Sequence, residues 1–73
     1  MNNIIIIDKT QGAALINPTN IYFVGDGIDF YPANGDPLHV KWTEDTKKAE
    51  EEYANFLAGL EAGKTVFTFE SDI

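Results

Sequence analysis

An α+β fold in the order βββββαβ is what the hydrophobic patterning of this chain predicts. Three observations carry the prediction. A β-branched block, Ile4 to Ile7, and several further short apolar runs are separated by glycine, asparagine and proline. After Trp42 the apolar spacing changes to a helical one at Ala49, Tyr53, Phe56, Leu57 and Leu60. From Lys64 to Phe69 alternation returns. The expected architecture is a small twisted antiparallel sheet, or a partly closed barrel, of five to six strands with one helix packed across it.

The elements follow in order. Ile4 to Ile7 is stiff at χ1 and suits a pleated strand. Lys9-Thr10-Gln11-Gly12 is a turn, and Ala13 to Ile16 forms the second strand. Asn17-Pro18 interrupts it, because proline has no N–H for the ladder. Asn20 to Val24 resumes as a strand rich in β-formers. Ile28 to Tyr31 is the next, with Ile28 and Phe30 on one face and Asp29 and Tyr31 on the other. In the fifth, Leu38, Val40 and Trp42 alternate with His39 and Lys41.

The acid-and-glycine clusters between these strands, FVGDGIDF and ANGDP, raise the question of a phosphate or metal cradle. A calcium loop needs closely spaced oxygen ligands and a closing glutamate, which Asp26, Asp29 and Asp36 lack. A phosphate loop should open a helix and carry a lysine, and neither cluster does. Asp26-Gly27 and Asn34-Gly35 are instead expected as hairpin turns, where such dipeptides supply φ > 0.

For the helix, Thr43 is the expected N-cap, with Glu44 and Asp45 at the positive end of its dipole. Gly63 is expected as the C′ residue. Gly59 lies inside the helical pattern at a cost of about 1 kcal/mol, which a close approach to the sheet would justify. Glu70 to Ile73 is expected to fray.

The run LINPTNIYFV followed by ANGDPLHVKWTED resembles the layout of the FlbD-like small flagellar proteins: a strand, an Asn-rich corner, a second strand, an Asn-Gly hairpin, and a strand leading into a helix. The likeness covers about the first two-thirds of the chain and is carried by turn signals. The acidic helix and last strand depart from it. It implies the architecture and brings no catalytic residues.

Composition bounds the function. The 73 residues make one domain, 1–73, and a chain this short has a thin stability margin. No cysteine is present, which removes disulfides and thiolate zinc sites and fits a reducing cytoplasm. Twelve acids face five lysines, with no arginine, for a net charge of −7. Such a chain repels nucleic acid and anionic membranes and suits a basic protein surface. The first apolar run is shorter than a signal-peptide core of about 7–15 residues, and nothing reaches the roughly 20 apolar residues of a membrane span. A cytoplasmic location follows as the expectation.

Chemistry-bearing residues are few. His39 is the only histidine and Ser71 the only serine, and the expected tail position of Ser71 leaves no Ser–His arrangement. No catalytic residue, metal ligand or cofactor site is therefore assigned. The acidic helix is the sharpest charge feature. Lys47 with Glu51, Lys48 with Glu52 and Glu44 with Lys48 are i,i+4 pairs, yet an acidic excess remains. Glu44, Asp45, Glu50, Glu51 and Glu52 are the expected partner-binding residues. The expectation is a non-enzymatic interaction module, such as a phage-type inhibitor filling a basic nucleic-acid-binding groove on a target protein. The alternatives are a structural subunit assembling through an apolar sheet face or edge strand, and a small ligand- or calcium-binding domain. Ile4 to Ile7 and Ile21 to Val24 are apolar on both faces, so either closure of the sheet or a partner, for instance in a homodimer, is expected to cover the second face.

Overall fold

The computed structural model describes residues 3–43 and 46–72. The order is β1 (Ile5–Asp8), β2 (Ala13–Ile16), β3 (Asn20–Phe23), β4 (Gly27–Tyr31), β5 (Leu38–Lys41), α1 (Thr46–Glu61) and β6 (Val66–Phe69), the α+β order that the sequence predicts. The strands form two three-stranded sheets, β2-β1-β6 and β3-β4-β5, not closed into a barrel. All neighbours are antiparallel except β1 and β6, which run parallel.

The break between the sheets lies at the asparagine-proline corner. Asn17 takes a left-handed backbone, with φ of 53°. Its N–H donates to the carbonyl of Ile4 at 2.7 Å, and its Oδ1 accepts from the N–H of Ile4 at 2.8 Å. Pro18 follows, so the chain leaves the first sheet there and β3 begins a second one. The parallel β1–β6 pair requires a long connection, which everything between the two strands supplies.

Two sheets give the chain's nine aromatic side chains more than one face to pack on. One core, including Ile6, Leu15, Ile28, Phe30, Val40, Trp42, Phe56, Phe67 and Phe69, is shared by both sheets and the helix. Phe56 is its hub, edge-on to Phe30 at 5.4 Å and to Phe67 at 4.6 Å between ring centroids. Alternation holds in β4 and β5, where Ile28, Phe30, Leu38 and Val40 are buried.

Turn chemistry departs from expectation in detail. The β3–β4 turn centres on Gly25-Asp26, one residue earlier than Asp26-Gly27: Phe23 pairs with Ile28, and the Val24 N–H donates to Gly27 O at 2.9 Å. Gly25 has φ of 86° and Asp26 is not among the positive-φ residues, which fits a type II′ turn better than I′. Gly27 is needed for another reason. A Cβ there would lie 2.2 Å from the Val40 carbonyl oxygen. Asn34-Gly35 sits within a longer loop, since Phe30 pairs with Leu38.

The helix is described over Thr46–Glu61, and Glu44 and Asp45, which separate it from the expected cap Thr43, lie outside the described residues. Thr43 is engaged elsewhere: its N–H and hydroxyl both donate to Asp72 Oδ1, at 2.6 and 3.2 Å. The other end is as predicted. Gly63 has φ of 84°, its N–H donates to Leu60 O at 3.1 Å, and Lys64 N–H donates to Gly59 O at 2.9 Å. This is a Schellman motif. Gly59 permits close packing on β6, since a Cβ there would lie 2.7 Å from Cε1 of Phe67.

Candidate functional site

The acidic surface forms where the first half of α1 meets the end of β6. Glu50 and Glu51 are exposed, whereas Glu52 is half-buried and pairs with Lys48 at 3.1 Å, the expected i,i+4 contact. Lys48 is held above its ordinary value, first by its hydrogen bond and attraction to Glu52, with Glu51 and Glu70 adding to it. Glu70 thus joins the helix acids, and it also pairs with Lys9 at 3.4 Å. The expected residues Glu50, Glu51 and Glu52 lie together on α1, while Glu44 and Asp45 lie outside the described residues.

The tail does not fray over Glu70 to Asp72. Trp42 Nε1 donates to Glu70 O at 2.8 Å, Thr10 Oγ1 to Ser71 O at 2.6 Å, and Asp72 N–H to Lys41 O at 3.2 Å. Ser71 is buried, and its hydroxyl donates to Asp8 Oδ1. Asp8 itself is fully buried at the inward end of β1. It accepts from Thr10 N–H at 2.9 Å and, through Oδ2, from Gln11 Nε2 at 2.7 Å. Gln11 Nε2 also donates to His39 O on the other sheet, so this buried carboxylate organises a clasp between the sheets. The signal for Asp8 was available in its sequence position: it shares the face of Ile6, two residues away.

On the outer face of the β3-β4-β5 sheet, Tyr22, Asp29 and His39 form one cross-strand row. His39 Nδ1 lies 2.7 Å from Asp29 Oδ1. Tyr31 stands edge-on to both His39 and Tyr22, with centroids 6.0 and 5.6 Å apart. His39 faces outward as alternation requires, but it has an orienting carboxylate that the linear sequence did not bring to it. Asn20, Lys41 and the Tyr22 and Tyr31 phenols share this outer face. Hairpin register is the signal that joins these residues.

Of the acids considered for calcium, Asp29 is committed to His39, Asp26 lies in the β3–β4 turn and Asp36 in the β4–β5 loop. Among the described residues no three of His, Asp and Glu converge as a metal-binding group.

Two other surface features stand out. The outer face of the β2-β1-β6 sheet carries Ile5, Ile7, Ala14, Ile16, Val66 and Thr68, a set with no charge. Ile16 is 59% and Val66 44% exposed, so this apolar face is uncovered. Beside it, between α1 and β6, lies an open hollow of about 60 Å³ lined by residues that include Glu52, Asn55, Phe56, Lys64, Phe67 and Thr68. No helix among the described residues is long and apolar enough to cross a membrane. No family model, no curated protein and no solved structure matches this chain.

Proposed function

We propose that this chain is a small acidic, non-enzymatic protein-interaction module that binds a basic surface on another protein, such as a groove that handles nucleic acid. The observation that carries this reading is the gathering of Glu51, Glu52 and Glu70 around Lys48, on a regular helix that also exposes Glu50 and beside the strand that returns next to it. Lysines 9 and 48 offset part of that charge, and the chain as a whole keeps a net −7. Long-range attraction of this kind speeds encounter and selects partners by sign. The test is capture of partners from the source cell by immobilised wild-type protein and by a variant with Glu50, Glu51 and Glu52 reversed to lysine. The expected result is a basic protein held by the wild type, released as salt rises, and missed by the folded variant. Equal capture by both forms refutes the acidic face.

A second reading is a structural subunit that assembles through the apolar outer face of the β2-β1-β6 sheet. The exposure of Ile16 and Val66 beside Ile5 and Ile7 favours it. Such an interface holds as salt rises, which separates it from the first reading.

A further inference from the structure

We propose that the free edge of β6 and the hollow beside it bind an extended, basic peptide segment as an added strand. This rests on the reading of the chain as a module for basic partners and names the docking mode. Strand β6 is the last in its sheet, so one side of it pairs with β1 and, among the described residues, no strand pairs with the other. The Ile5 N–H donates to Thr65 O and the Lys9 N–H to Phe69 O, which fixes the side facing β1. By alternation, the backbone groups of Val66 and Thr68 point away from β1 toward the open edge. An unpaired strand edge is a template for another strand, and proteins commonly shield it with charge or a covering element. Here the strand is short and carries Val66 and Thr68 at its edge.

The flank of α1 makes this edge into a groove. Glu52, Asn55 and Phe56 stand across from Phe67, Thr68 and Phe69, with the hollow of about 60 Å³ between them. A buried water needs roughly 10–15 Å³, so the hollow has room for a short aliphatic group or several waters. A strand laid between an edge and a helix gains main-chain hydrogen bonds, and pockets for alternate side chains give the selectivity. The charge of the groove selects the occupant. Its β6 C-terminal end lies beside Glu51, Glu52 and Glu70, which together outnumber Lys48 and Lys9. Its other end carries Lys64, whose ammonium sits 5.2 Å over the Phe67 ring. A peptide with lysine or arginine opposite the glutamates, and a small apolar side chain over the hollow, matches both features.

The test selects a displayed library of random linear peptides against the whole protein and maps the enriched ones by amide-resolved NMR. Enriched peptides are expected to alternate small apolar residues with lysine or arginine and to shift the amides of Val66 and Thr68. N-methylation of alternate peptide amides should weaken binding about tenfold or more, because each methyl removes a donor from the ladder. Thr68→Pro removes the outward N–H of an edge position while leaving the β1 side of the ladder intact, and should weaken binding similarly. Glu52→Lys with Glu70→Lys should do the same and flatten the salt dependence. No enrichment, enrichment of acidic peptides, or binding that survives N-methylation and leaves the Val66 and Thr68 amides unmoved overturns the proposal. The lysine-reversal capture experiment stands apart from these outcomes: a basic partner lost with Glu50, Glu51 and Glu52 keeps the acidic reading even when no peptide binds this edge.

Discussion

The Ser71 hydroxyl donates to Oδ1 of Asp8 at 3.3 Å, across 63 positions of sequence. The buried carboxylate also takes the Thr10 N–H and the Gln11 amide. Asp8→Ala strips an acceptor from several donors at once, the buried Ser71 hydroxyl among them, while Gln11 Nε2 keeps its bond to His39 O. A stability loss of about 2–4 kcal/mol is expected from chemical denaturation. Asp8→Asn keeps an oxygen and should cost about half as much. A loss under about 1 kcal/mol for the alanine variant would show that water replaces the carboxylate without penalty.

Two glycines should resist replacement for steric reasons. At Gly27 a new Cβ meets the Val40 carbonyl oxygen, which belongs to the paired backbone and cannot move alone. Gly27→Ala should cost about 3 kcal/mol and loosen the β4–β5 pair. At Gly59 the obstacle is the Phe67 ring. Alanine there gains about 1 kcal/mol in helix propensity but overpacks the contact, giving a net loss of about 1–2 kcal/mol. Thermal melts of the two variants check both the order and the size.

Lys48 offers a pH-dependent test. Its folded-state value is raised, chiefly by Glu52, above the 10.5 of an unperturbed lysine. The stabilisation from this shift is therefore complete below 10.5 and is lost as pH climbs through the higher folded value. Glu52→Gln should return the Lys48 titration toward the ordinary lysine value when followed by NMR at its Nζ. Salt should shrink the wild-type shift, because the ammonium is exposed to solvent.

The tail clasp predicts local protection. Asp72→Ala removes the acceptor for the Thr43 N–H, so that amide should exchange with solvent faster while the core of β4 does not change. Trp42→Phe removes the Nε1 bond to Glu70 O and should lower stability by about 1 kcal/mol beyond any change in packing. Equal exchange at Thr43 in wild type and variant would mean that the tail lies free in solution.

Much of the fold was legible because local chemistry decides it. β-Branched runs gave the strands, a period of three to four gave α1, and Gly63 marked its end with the predicted Schellman geometry. The division into two sheets was less legible, since it depends on which strands pair across long separations. Asn17-Pro18 marked the break, but the sequence does not state that β6 comes to lie beside β1. The same limit applied to function. The helix acids could be read as a surface, whereas Glu70 joined them only through the return of β6. Asp29 and His39 met through hairpin register, and the fraying expected of Glu70 to Asp72 failed because Trp42, Thr10 and Lys41 supply partners that tail composition cannot reveal.

The pairing of β1 with β6 has a consequence for synthesis. Strand β1 waits for one of its neighbours until residues 66–69 emerge, and Asp8 waits for Ser71. Until then the nascent chain holds Ile5, Ile6 and Ile7 beside only one antiparallel neighbour, a stretch that chaperones can grip. Closure of the first sheet therefore waits for residues 66–69, and a stall before residue 66 leaves a ribosome-bound chain that cannot complete it.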